Sequence, residues 1–303
     1  MIAFGCSVIA PDLYARYAAP GIERAREPGS AVFVHAAASS VARGCNLLFE
    51  QAARLPELEA LVILHQDVEI TDSALCAKLR DAFADPGVGV VGPVGAVGVR
   101  DIAWWDGTLT WSSAPWVDRG HRLLWPRELS ASLRGPGEVE TLYGVLMAFS
   151  PWVVRNLRFD ESFGLLHGYD YDLCAQVREA GLKVWAADLE VLHHHSLDLV
   201  GQVEMWVEAH IRAAEKWDRQ GPAPGEDEER YWRERARRAE ADAAAARLFA
   251  ASKLLQADAT DQLHRRLLGE RIHSRSWKLT EPLRRGNAWV RALRARVSAR
   301  YSG

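Results

Sequence analysis

Apolar, β-branched runs recur along the first two hundred residues, at Ile2–Ile9, Val32–His35, Leu61–Leu64, Val88–Val91 and Leu142–Phe149. A further run, with alternation, covers Lys183–His193. Between them the spacing becomes helical. Ser39–Leu55 carries apolar positions at Val41, Cys45, Leu48, Phe49 and Ala52, and Ser73–Phe83 and Tyr171–Ala180 follow the same pattern. Near-continuous apolar strands separated by helices of about 10–15 residues predict an α/β fold, a mostly parallel sheet with helices on both faces. Such sheets bind ligands beyond the carboxyl ends of their strands, so a polar cluster that follows a strand is well placed for chemistry.

Residues 98–140 break this pattern. The stretch is rich in Trp, Gly and Pro and reads as a long excursion over one edge of the sheet, a length usually tied to function. After about residue 200 the strands stop. Gln202–Arg219 is amphipathic through Val203, Trp206, Val207, His210, Ile211, Ala214 and Trp217. GPAPGEDEE follows as a linker, and Glu226–Leu268 reads as a long Ala-, Arg- and Glu-rich helix of coiled-coil character. Asn287–Tyr301 sets Trp289, Leu293 and Val297 at i, i+4 and i+8, with Arg291, Arg294, Arg296 and Arg300 around the other side, an interfacial-helix signature. The expected organisation is a sheet domain over 1–200, a closing helix and linker over 201–222, a long helix over 223–270 and a basic amphipathic tail over 271–303.

Composition changes this picture in two ways. Of 303 residues, 49% are hydrophobic and 25% charged, which excludes disorder and a collagen-like fibre. The net charge of -3 hides an asymmetry, because residues 264–303 hold 11 Lys and Arg against Glu270 and Glu281 while the rest is acidic. A basic tail on an acidic body points to an anionic partner such as phospholipid or nucleic acid, a solvated arginine-rich helix being the other reading. The four Cys have no CxxC spacing, so neither a disulfide framework nor a zinc knuckle is indicated. No run of about 18 apolar residues is present, and the opening MIAFGCSVIAPD reads as a strand rather than a signal peptide. The expected location is the cytoplasm, with peripheral contact at the inner face of the membrane through the tail.

Three clusters could carry chemistry. In LVILHQDV a buried strand runs into His65 and Asp67, which point to the same side and suit Mg²⁺ or Mn²⁺ bridging a diphosphate; an ordinary strand end with a capping Asp is the other reading. In FDESFGLLHGYDYDLC, Asp170 and Asp172 straddle Tyr171 at a helix start. One acid there is accounted for as a cap, and the other could act as a general base toward a hydroxyl. In VLHHHS, His193 and His195 face one side of a strand end and His194 the other, and neutral imidazole is a common metal ligand. All three clusters fall on what should be one edge of the sheet.

The order HQDV, GVVGPVG, GVLMAF, FDESFGLLHGYDYDLC and VLHHHS, over roughly residues 1–217, resembles the GT-A fold glycosyltransferases of family 2. More narrowly it resembles the bacterial group of the streptomycin-biosynthesis StrF type. Arg275–Arg284 is similar to a segment found C-terminal to many bacterial polysaccharide glycosyltransferases. The resemblance implies an inverting transfer of a sugar from a nucleotide-diphosphate donor to a hydroxyl of a carbohydrate or lipid-linked acceptor. It implies metal binding by Asp67, with His65 in place of the family's first Asp, and by His193 or His195. Asp170 takes the position of the catalytic base, and Tyr169 stands where many members have Glu. Ser7, Val8, Asn46 and Gln66 fall at donor-binding positions. Trp104, Trp105, Asp106 and Trp111, with Tyr169 and Asp172, are the acceptor-side candidates, flat aromatic faces suiting sugar rings; closing a satellite core is the other role for the tryptophans.

The leading expectation is therefore a metal-dependent glycosyltransferase in surface polysaccharide or glycosylated-metabolite assembly, with Mn²⁺ or Mg²⁺ as cofactor. A non-catalytic sugar- or nucleotide-binding scaffold on a degenerate GT-A frame and a metal-dependent hydrolase are the alternatives. The long helix over 226–268 offers a surface for self-association, and nucleic acid is not the expected partner.

Overall fold

A computed structural model of the chain describes residues 1–36, 38–99, 102–103, 109–112, 116–118, 121–123, 135–194, 203–217 and 227–273. Its strands are β1 (Ile2–Val8), β2 (Val32–Ala36), β3 (Ala60–Leu64), β4 (Val68–Ile70), β5 (Val88–Gly92), β6 (Val94–Val97) and β7 (Leu109–Ser112). They continue with β8 (Trp116–Asp118), β9 (His121–Leu123), β10 (Gly137–Val139), β11 (Thr141–Leu142), β12 (Leu146–Phe149), β13 (Lys183–Ala186) and β14 (Val191–His193). The helices are α1 (Pro11–Leu13), α2 (Ala19–Ala25), α3 (Val41–Ala52), α4 (Leu75–Phe83), α5 (Pro151–Asn156), α6 (Tyr169–Glu179), α7 (Val203–Trp217) and α8 (Asp227–His273).

The main sheet has the order β10-β13-β5-β12-β3-β1-β2. β1 is parallel to β2 and β3, and β13 is parallel to β5. β12 enters antiparallel between β3 and β5, and β10 closes the edge antiparallel to β13. Because β12 runs backwards, its amino end sits at the edge where β3 ends, and the segments flanking both strands converge there. Two smaller sheets, β11-β6-β7 and β4-β14-β8-β9, stand beside it.

Alternation along the strands divides the core. Phe4, Cys6, Val62, Leu64 and Leu146 face one cluster with Ile22, Leu75 and Leu79. Ala3, Leu61, Ile63, Met147 and Phe149 face the other, against Leu48 and Phe49 of α3, Val153 of α5 and Val177 of α6. A third cluster joins Ile102 and Phe163 to Trp206 and Val207 of α7 and to Ala241, Ala244 and Ala245 of α8.

The expected α/β class is observed, with local differences. Leu142–Phe149 is two strands, because Tyr143–Val145 forms the turn between β11 and β12. Lys183–His193 likewise divides into β13 and β14, which belong to different sheets. Ala-rich Pro11–Ala25, not singled out by periodicity, is helical, with a π-helical turn over Tyr14–Ala18. The contacts separate Met1–Lys253 from Leu254–Gly303 within α8. In the first unit, Arg238 of α8 pairs with Glu204 and Glu208 of α7. Among the described residues no helix is long and apolar enough to cross a membrane. The tail over 287–301 lies outside the described residues.

Candidate active site

β3 ends where its backbone leaves the sheet. The His65 N–H donates to the Val145 carbonyl at 3.0 Å, the Val68 N–H closes a turn onto the His65 carbonyl, and the Asp67 carbonyl accepts the His194 N–H at 2.8 Å. This turn projects His65, Gln66 and Asp67 at the carboxyl edge of the sheet, toward the end of β14. His193 Nε2 lies 3.5 Å from Asp67 Oδ2, and its ring meets that of His65 edge-on at 5.9 Å. One ligand atom each from His65, Asp67 and His193 lie within 4.8 Å of one another. Of the three consecutive histidines, His194 points elsewhere: it stacks on Tyr17 at 3.9 Å and bonds Glu69 at 2.9 Å. His195 lies outside the described residues.

The second half of the site comes from the start of α6. Gly168 adopts φ +79°, and a Cβ there would also strike the Phe163 ring, so glycine is required at this turn. Tyr169 follows, buried, with its hydroxyl 2.7 Å from His65 Nε2 and 3.3 Å from the Gly144 carbonyl. The Gly144 N–H donates to Asp170 Oδ2 at 2.9 Å, and the Tyr171 N–H to Oδ1 at 2.9 Å. A Cβ on Gly144 would collide with the Tyr169 hydroxyl, so the missing side chain permits this approach. Burial pushes the Asp170 carboxyl above the usual carboxylate range, and the main-chain N–H bonds only partly oppose it.

These groups line one cavity of about 540 Å³ that also takes in Ser7, Gln66 and Tyr143. Gln66 Oε1 accepts the N–H groups of Ile9 (2.9 Å) and Ala10 (2.7 Å), joining the ends of β1 and β3. Tyr143 and His167, not singled out in the sequence, are wall residues; Tyr143 stands 6.0 Å from the His193 ring. The signal for Tyr143 was its place just before GVLMAF. His167 is neutral near pH 7, because burial lowers its pKa to about 4.

Three expected site residues are placed differently. Val8 packs in the core rather than on the cavity. Asn46 is buried and clips α3 to the chain before α6, bonding the Phe159 carbonyl at 2.9 Å, Glu161 at 3.0 Å and the Phe159 N–H at 2.9 Å. Asp172 is fully buried and turned toward α7, where Lys216 Nζ (2.7 Å) and Trp217 Nε1 (3.0 Å) meet its Oδ1 and Gln176 its Oδ2. The helical period explains this last shift, since a residue two positions after Asp170 lies roughly 200° around α6. Trp104, Trp105 and Asp106 lie outside the described residues, and Trp111 is described only as backbone, in β7 opposite Gly95.

Residues 24–215, which contain His65, Asp67, Asp170 and His193, match the family described as "Glycosyltransferase like family". The chain belongs to the glycosyltransferase-like family. The streptomycin biosynthesis protein StrF of Streptomyces griseus is 32% identical to this transferase over 197 residues, covering 65% of this chain and 67% of that protein. The structure of GalNAc-T7 with UDP, GalNAc and Mn²⁺ superposes with a TM-score of 0.51 at 12% identity, covering 73% of this chain and 48% of that one. The transferase thus spans about half of that structure, and the likeness is one of fold, GT-A. Mannosyltransferase PcManGT of Pyrobaculum calidifontis, in complex with GDP-Man and Mn²⁺, gives a TM-score of 0.45 at 15% identity over 92% of this chain and 82% of that one.

Proposed function

We propose that this transferase moves a sugar from a nucleotide-diphosphate donor to an acceptor hydroxyl with inversion at the anomeric carbon, Asp170 serving as base. The observation that carries this reading is the shared cavity of His65, Asp67, His193 and Asp170 at the carboxyl edge of the parallel strands. Two imidazoles and a carboxylate with ligand atoms within 4.8 Å fit one divalent cation. Imidazole donors favour Mn²⁺ over Mg²⁺, which prefers oxygen. A cation bound there would offset charge on the leaving diphosphate.

The chain's own residues supply the rest. Tyr169 orients the His65 ring through the 2.7 Å bond. Asp170, fixed by the Gly144 and Tyr171 N–H groups, accepts the acceptor's proton as its oxygen attacks the face opposite the diphosphate. A carboxylate whose pKa is pushed up by burial is a better base for this step than an exposed one. Gln66 and Ser7, at the ends of β3 and β1, line the donor side. StrF is named as a streptomycin biosynthesis protein, and the acceptor proposed for this chain is a glycosylated metabolite or a surface polysaccharide. Contact with the anionic inner leaflet through 287–301 and self-association through 226–268 complete the proposal.

Calorimetric titration with a panel of nucleoside diphosphates, with and without Mn²⁺, tests the donor site. Metal-dependent binding of one nucleotide, lost in Asp67→Ala, is the expected result. No nucleotide binding at all would instead favour a degenerate scaffold. The anomeric configuration of the product, read by NMR, tests inversion.

A further inference from the structure

The mouth of the cavity, at the segment between Phe163 and Asp170 and the end of β1, has three features that the reaction as described leaves unused. Leu165 and Leu166 both line the cavity, yet they are 51% and 41% exposed. Ile9, 70% exposed at the end of β1, lines the same cavity. Between the leucines and α6 stands His167, a cavity-wall residue.

This presentation is built into the backbone. Gly164 (φ +95°) and Gly168 (φ +79°) bracket the three residues in conformations that side chains disfavour. The Leu165 carbonyl accepts the Val41 N–H at 3.0 Å, which ties the loop to the start of α3. A loop held at both ends and in the middle keeps its leucines toward solvent although exposure of aliphatic surface is unfavourable. Adjacent large aliphatics at the mouth of a site mark a surface that an apolar ligand group covers. The imidazole beside them, uncharged near neutral pH because burial depresses its pKa, offers one N–H donor and one nitrogen acceptor. That pair matches a hydroxyl.

We infer that Leu165, Leu166 and His167 form the acceptor subsite, His167 holding a hydroxyl near the one that reacts at Asp170 while the leucines and Ile9 cover an apolar aglycone. The acceptor class is thus an amphiphilic glycoside or glycolipid rather than a free sugar. The inference rests on the glycosyltransferase reading above, because Asp170, three residues beyond His167, fixes where the reacting hydroxyl lies.

The test compares octyl with methyl glycosides of glucose, galactose, mannose and N-acetylglucosamine, using the full chain with Mn²⁺ and a panel of nucleotide sugars. For the sugar accepted, the octyl glycoside should exceed the methyl glycoside by about tenfold in kcat/KM, the effect of burying roughly two methylenes. That ratio should fall toward unity in Leu165→Ser and Leu166→Ser, and a ratio within one variant does not depend on its folded fraction. KM for the octyl glycoside should rise in His167→Leu and partly recover in His167→Asn. Equal use of octyl and methyl glycosides, or a preference unmoved by the leucine variants, overturns the inference and leaves the transferase reading standing. Donor consumption by water alone, with transfer to no octyl glycoside, does the same. Failure to consume any nucleotide sugar, with or without acceptor, overturns both.

Discussion

The Tyr169 hydroxyl lies 2.7 Å from His65 Nε2 and 3.3 Å from the Gly144 carbonyl, so one buried phenol joins the end of β3, the start of β12 and the start of α6. Two halves of the site, one carrying the His65, Asp67 and His193 group and the other the Asp170 carboxylate, are thereby fixed to one another. Groups that orient a metal-ligating imidazole usually contribute about 10–100-fold in metal affinity. Tyr169→Phe keeps the ring and removes the hydroxyl, and Mn²⁺ should bind about tenfold or more weakly. Electron paramagnetic resonance of free Mn²⁺ reads this directly. Unchanged affinity would remove His65 from the ligand set.

Asp170 should set the acidic limb of the rate profile. Its carboxyl is held above the usual range by burial, and a base works only when deprotonated. Activity is therefore full at high pH and falls as pH drops through a pKa above that of an ordinary aspartate. Asp170→Asn should lose about 10²–10⁴-fold in kcat and abolish that limb while nucleoside diphosphate binding persists. Steady-state rates between pH 4 and 9 decide it.

Asn46 is expected to act through stability alone. Its side-chain amide satisfies both the N–H and the carbonyl of Phe159, which are buried. Asn46→Ala leaves these groups without partners, at a cost of about 1–3 kcal/mol for each unsatisfied group. Urea midpoints should drop accordingly, with calorimetric nucleotide affinity unchanged in the folded protein. A loss of affinity without destabilisation would return Asn46 to the donor site.

The Lys216 clamp predicts a distinct pH window. Burial pushes the Asp160 carboxyl up, but Lys216 at 2.7 Å and the Ser162 donors outweigh it and leave its pKa at about 2. A carboxylate with a depressed folded pKa stabilises the fold above its unfolded value, near 4, and the contribution disappears as pH falls toward about 2. The difference in urea midpoint between the protein and Asp160→Asn should thus be largest above pH 4.5 and shrink steadily below it. A difference independent of pH in that interval would show that the Lys216 contact does not hold Asp160 ionised.

The strand–helix alternation, the mostly parallel sheet and the edge that carries the candidate site are legible in the sequence because burial on both faces forces near-continuous apolar strands. The polar clusters then stand out where those strands end. His65, Asp67 and the histidines from 193 stand out for the same reason, as polar residues directly after apolar runs, whereas Asp170 stands out as one of two acids at a helix start and Tyr169 only through the family resemblance. Which acid of the Asp170–Asp172 pair faces the cavity was fixed by the tertiary structure, since a rotation of roughly 200° along α6 turns one toward Gly144 and the other toward Lys216. That Asn46 bonds Phe159 and Val8 packs in the core is decided by tertiary structure, because local spacing does not reveal which partners a buried polar or apolar group finds across the chain. Tyr143, Gly144 and His167 lie in or beside the quoted motifs, but their place on the cavity is decided by the fold: the antiparallel course of β12 and the paired glycines before α6 bring them there, and both are consequences of long-range packing rather than of any periodicity in the chain.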